Sequence, residues 1–181
     1  MKLKRLKFLL FLILLGYPLM ESKAKPNIFP SVTLNGDNGG LCGGKEWKSS
    51  SLQDKVNLVL YVDPDRQSWA KPLVTKLDSL NYSPDSLGVT FILNTDATII
   101  PDFVIRNRVK AKAKASVNMN YVLDRKKLLV RKWNLADDNI NVLLMDASGR
   151  IIQRHHGEMT GNFINQFIEK IDESIKIGEL K

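Results

Sequence analysis

The stretch NLVLYVDPDRQSWAKPL, residues 57–73, decides how the rest of the chain is read. The apolar run Val56 to Val62 has the unbroken hydrophobicity of a strand covered on both faces. Asp63-Pro64-Asp65 is turn chemistry. Trp69, Leu73, Leu77 and Leu80 then recur at helical spacing, which predicts a helix over residues 67–80. Pro72 falls in its first turns, where proline is tolerated. A buried strand that feeds a helix opens a βαβ unit. In open α/β sheets the turn after such a strand emerges at the edge where sites form. Here that turn reads Arg66-Gln67-Ser68-Trp69, with no thiol in it.

Working outward, the same alternation continues. Upstream, Val32-Thr33-Leu34 is a short strand, and residues 35–44 form a glycine-rich hairpin or loop around Cys42. Downstream, Gly88 to Leu93 is a second apolar strand that ends at Asn94-Thr95-Asp96. Pro101 and Asp102 suit the first turn of another helix, which runs into the basic stretch at 106–114. Tyr121 to Leu123 and Leu128 to Val130 read as two short strands around the turn 124–127. Asn141 to Met145 and Arg150 to His155 form a hairpin across Ala147-Ser148-Gly149. A final helix has Thr160 as N-cap and Phe163, Ile164, Phe167, Ile168, Ile171 and Ile175 on one face. Strand, helix, strand, helix, hairpin, helix is the thioredoxin order. The expected fold is therefore α/β, a central mixed sheet flanked by helices.

Three ordered stretches, FILNTDATIIPDFVIR (91–106), YVLDRKKLLVRKWNL (121–135) and NVLLMDASGRIIQRHHGEMT (141–160), resemble the YtfJ family of exported thioredoxin-like bacterial proteins. The likeness extends over roughly residues 45–175. It implies a fold and an exported location rather than a reaction. A thioredoxin-type redox site needs a low-pKa thiolate at the helix start and a second thiol to resolve the mixed disulfide. Arg66 and Trp69 stand near those two positions, and neither does thiol chemistry. The cis-proline of that fold would fall near Ile140, where a cis bond costs about 2.5–4 kcal/mol, so a trans bond is expected.

The first 24 residues read as a secretory signal peptide. Lys2, Lys4, Arg5 and Lys7 precede the apolar run Phe8 to Leu15, and Ser22-Lys23-Ala24 offers a cleavage site. The run is short for a span of about 20 residues, so an uncleaved anchor is the only membrane attachment foreseen. The expected organisation is residues 1–24 as signal, 25–44 as N-terminal strand and glycine-rich loop, and 45–181 as the thioredoxin-like domain. Cleavage removes five positive charges and one negative, so the formal net charge falls from +8 to +4. A mildly basic exported chain is a poor candidate for nucleic acid. Its single cysteine excludes an intramolecular disulfide.

The candidate residues are few. Cys42 is a candidate redox thiol, by mixed disulfide or sulfenic acid; the plainer reading is a tolerated cysteine in a flexible loop. His155 and His156 are neighbours on a strand and point to opposite faces, so they cannot chelate one metal together. Asp63, Asp65, Arg66, Asn94 and Asp96 cluster at the carboxyl edge as a candidate binding surface. Within it Asp65 is expected to cap the helix and Asp96 to shape a turn. Arg106, Arg108, Lys110, Lys112 and Lys114 form a broad basic helical surface or a solvated helix end. Trp47 and Trp133 read as core or edge aromatics. No metal site and no cofactor are expected. The sequence reading is a non-catalytic periplasmic binding or assembly module with another envelope protein as partner. The alternative is single-thiol redox chemistry through Cys42.

Overall fold

The computed structural model describes residues 27–97, 107 and 119–179. Among the described residues eight strands are present: β1 (Thr33–Leu34), β2 (Gly39–Leu41), β3 (Trp47–Lys48), β4 (Val56–Val62), β5 (Leu87–Asn94), β6 (Met119–Asp124), β7 (Ile140–Met145) and β8 (Ile151–His156). The helices are α1 (Gln67–Leu80), α2 (Leu128–Trp133) and α3 (Gly161–Glu179). Six strands build one sheet in the order β2-β6-β5-β4-β7-β8, while β1 and β3 pair separately. β4, β5 and β6 run parallel; β2 lies antiparallel to β6, β7 to β4, and β8 to β7.

Alternation along each strand divides the side chains between two cores. Leu58, Leu60, Val62, Val89, Phe91, Leu93, Val142 and Leu144 pack under α1 and α3, which contribute Leu73, Leu77, Phe167 and Ile171. Val59, Tyr61, Ile92, Val122 and Leu143 face the other way, onto Leu34, Trp47, Leu129 and Trp133. β4 lies at the centre and is buried at all seven positions, which is why it reads as an unbroken apolar run. α1 spans 67–80 as expected, with Pro72 inside, and ends on the left-handed Asn81, whose N–H reaches Leu77 O at 3.1 Å. Thr160 precedes α3 and its carbonyl accepts the Ile164 N–H at 3.0 Å.

Two expectations are corrected. Leu128 to Val130 is not a strand but the start of α2. The Asp124 carboxylate accepts the N–H groups of Leu128 (2.9 Å) and Leu129 (2.8 Å), and the left-handed Lys127 (φ 48°) turns the chain into the helix. The glycine-rich stretch contains β2, an edge strand. Gly39 pairs with Asp124 so closely that a Cβ there would lie 1.9 Å from Leu123 O. The helix foreseen from Pro101 and the basic stretch at 106–114 lie outside the described residues, apart from Asn107, which is helical and exposed.

The chain before β1 straps the second face. Phe29 stacks on Trp133 at 4.8 Å, Trp133 Nε1 donates to Pro30 O at 2.9 Å, and Ile151 N–H donates to Asn27 O at 2.8 Å. Among the described residues no peptide bond is cis, and no helix is long and apolar enough to cross a membrane.

Candidate functional site at the carboxyl edge

Parallel strands bring their carboxyl ends together, and three polar side chains meet there. Val62 is in register with Leu93, and Asn94 with Asp124. Asp63, Asn94 and Asp124 therefore leave the same face of three adjacent strands at one level. They are almost fully buried, at 3%, 1% and 0% exposure. Only the first two were singled out from the sequence.

Asp63, rather than Asp65, caps the entry to α1: its Oδ1 accepts the Asp65 N–H at 2.9 Å. Its own N–H donates to Asn139 O at 3.1 Å, which ties the turn to the loop before β7. Burial pushes the Asp63 carboxyl above its ordinary pKa. The Asp65 N–H opposes that rise, and the charges of Asp65 and Asp138 add to it. Asp124 is held by the α2 N–H groups and by Tyr61 OH at 3.3 Å. Burial, and then the Asp124 charge, push the Tyr61 hydroxyl well above the usual phenol range. Lys127 bonds Asp137 at 3.0 Å and lies 3.7 Å from Asp138. Hydrogen bonding to Asp137 raises its pKa, with Asp138 and Asp96 contributing. Asn94 Oδ1 and Thr95 Oγ1 are buried, and among the described residues neither has a hydrogen-bond partner.

Asp65, Arg66 and Asp96 are exposed on the outer side of this edge. The Arg66 guanidinium lies 4.9 Å above the Trp69 ring, and Trp69 is half-buried. Sequence reasoning missed Asp124, Tyr61 and Lys127. Asp124 lies four residues ahead of the Leu-Leu-Val run, beyond the two or three residues that an N-cap spans, so no cap signal marked it. The edge thus presents carboxylates and two cations, with a shallow aromatic, and among the described residues no thiol.

Cys42 lies elsewhere. Its N–H donates to Tyr121 O at 2.9 Å, continuing the β2–β6 ladder, and the residue is 7% exposed within the α1/α3 core. It is therefore not part of a flexible loop. It lines a recess of about 500 Å³ with Gly36, Gly40, Gly44, Asn107 and Arg125. From β4 it is three strand spacings away, about 14 Å. His155 packs on Phe163, with ring centroids 3.9 Å apart, while His156 is exposed; the two histidine rings are not splayed fully apart, since they lie near-parallel with centroids 6.4 Å from one another. Among the described residues no three His, Cys, Asp or Glu side chains converge as metal ligands. Asp146, in the Asp-Ala-Ser-Gly-Arg turn, accepts from Ser148 N, Ser148 Oγ, Arg150 N and Arg150 Nε, so that motif builds a hairpin.

A parallel β4–α1–β5 unit, an antiparallel β7–β8 hairpin and a closing α3, with no thiol in the turn after β4, define a thioredoxin-like protein without the dithiol pair. Solved structures agree on the fold. An uncharacterised conserved protein from Geobacillus kaustophilus superposes with a TM-score of 0.62 at 13% identity, covering 83% of this chain and 82% of that one. A hypothetical protein from Sinorhizobium meliloti gives 0.61 at 19% identity, with 84% and 85% covered. A putative thioredoxin from Neisseria meningitidis gives 0.60 at 18% identity, with 80% and 89% covered. In sequence, the uncharacterised protein YtfJ of Escherichia coli (strain K12) is 22% identical over 135 residues, 73% of each chain. Residues 37–174 match the family described as bacterial protein of unknown function (YtfJ_HI0045), and the chain belongs to that family.

Proposed function

We propose that this protein is an exported, non-catalytic binding or assembly module of the bacterial envelope, which uses the carboxyl edge of a thioredoxin-like sheet as its contact surface. The observation that carries this reading is the turn after β4. Its position is that of a dithiol site, yet it holds Asp63, Asp65 and Arg66, with Arg66 stacked on Trp69. Thiol exchange requires an accessible thiolate, and Cys42 is buried and three strands away. The basic, apolar N-terminal segment supports export to the periplasm.

Single-thiol redox chemistry is the second reading, favoured by the recess beside Cys42. Capture of partners from the native envelope under non-reducing conditions separates the two, with wild type and Cys42→Ser compared. A partner retained by both supports binding. One retained by the thiol protein alone supports redox chemistry and removes the binding reading.

A further inference from the structure

We propose that the outer edge of β8 is a second contact surface, where an extended acidic segment of a partner protein adds to the sheet as a further strand. β8 ends the six-stranded sheet. In an antiparallel ladder alternate residues turn their N–H and C=O groups away from the neighbouring strand. Gly157 N–H reaches Ile140 O at 3.1 Å, and the pairs Val142–His155 and Leu144–Gln153 share that parity. His155 and Gln153 therefore bond to β7, whereas Arg154 and His156 direct their backbone groups outward. Among the described residues nothing bonds to those outward groups.

The molecule itself shows the binding mode. At the start of the same edge, Ile28 forms an antiparallel bridge with Arg150, and Ile151 N–H donates to Asn27 O at 2.8 Å. The strap thus occupies the first outward position, and among the described residues nothing occupies the next two. β8 contains no acidic residue. Arg150 is held by Asp146 at 2.9 Å, but Arg154 is exposed and makes no ion pair among the described residues. Ile152, 37% exposed, stands two residues from it, and Ile28, 47% exposed, lies further along the edge opposite Arg150. The fitting occupant has an acidic side chain opposite Arg154 and aliphatic ones toward the two isoleucines. A second copy of β8 would set arginine against arginine, and like charges directly opposite are destabilising.

The test uses the blocked peptide acetyl-Val-Thr-Glu-Thr-Val-amide, which sets Glu opposite Arg154 and Val two residues away on the same face, its counterpart with Lys in place of Glu, and amide hydrogen exchange. The acidic peptide is expected to bind and to slow exchange at Arg154 and His156 by about tenfold or more, with Gln153 and His155 unchanged. Arg154→Pro removes an outward N–H that the ladder does not use, a position where edge strands accept proline, and should abolish binding. If that variant fails to fold, Arg154→Glu should switch preference to the lysine peptide. Equal binding of both peptides overturns the proposal. So does protection of Arg154 and His156 in the free protein, whether it is constant or grows with protein concentration.

Discussion

At the scale of single residues, Asp63 couples folding stability to pH. Burial raises its carboxyl above the ordinary range. In the unfolded chain it ionises at the usual carboxylate value. Below both values it is neutral in either state and contributes no pH dependence. As pH rises through the ordinary value and then the raised one, the folded state resists losing the proton, so its stability falls. Asp63→Asn keeps an oxygen for the Asp65 N–H and cannot ionise. The unfolding free energy of wild type relative to this variant should therefore decrease as pH is raised from about 3 to about 7. Urea melts across that range check it, and a flat or rising difference would show that Asp63 ionises at no cost. The sequence indicated an acidic edge but not which acid was buried. Register decides that, since Asp63 follows the face-alternating Val62, whereas Asp65 lies in the exposed turn.

At the scale of elements, β4 and α1 were legible because period and composition agree over long segments. α2 was not. Leu128 to Val130 is an apolar triplet too short to show a period, and its helicity is set by Asp124, buried at the end of β6. β2 was hidden for another reason: glycines carry no hydrophobic pattern, and their role comes from the close approach of β6. Cys42 was misplaced with them, because its burial depends on the ladder that β2 joins. The start of α1 yields a comparison. Trp69 is half-buried rather than enclosed, so Trp69→Ala should cost about 1–3 kcal/mol, less than full truncation of a buried aromatic. Arg66→Ala removes the stacked cation and should cost about 0.5–1 kcal/mol. Thermal or urea melts rank the two; a larger loss for Arg66→Ala would contradict the placement of Trp69 against the core.

At the scale of the whole molecule, the strap from Asn27 to Pro30 links the outermost strand to the core of the second face. Phe29 is the joint, because its ring stacks on Trp133 while the side chains of its neighbours Ile28 and Pro30 remain exposed. Phe29→Ala should release the strap without dissolving the sheet. The Ile151 amide should then exchange about tenfold faster or more, while Leu58 and Leu144, paired at the sheet's centre, keep their protection. Uniform acceleration at all three sites would mean that the strap is integral to global stability. The three tryptophans also divide the molecule optically. Trp47 and Trp133 sit edge to face, 6.4 Å apart and sealed on one side of the sheet, whereas Trp69 lies half-open beneath Arg66 at the carboxyl edge. The native protein thus carries its own fluorescent labels: a shielded pair that a small aqueous quencher reaches poorly and a lone indole that it reaches readily. A molecule settling on the edge dims or brightens the latter and leaves the former dark to the event.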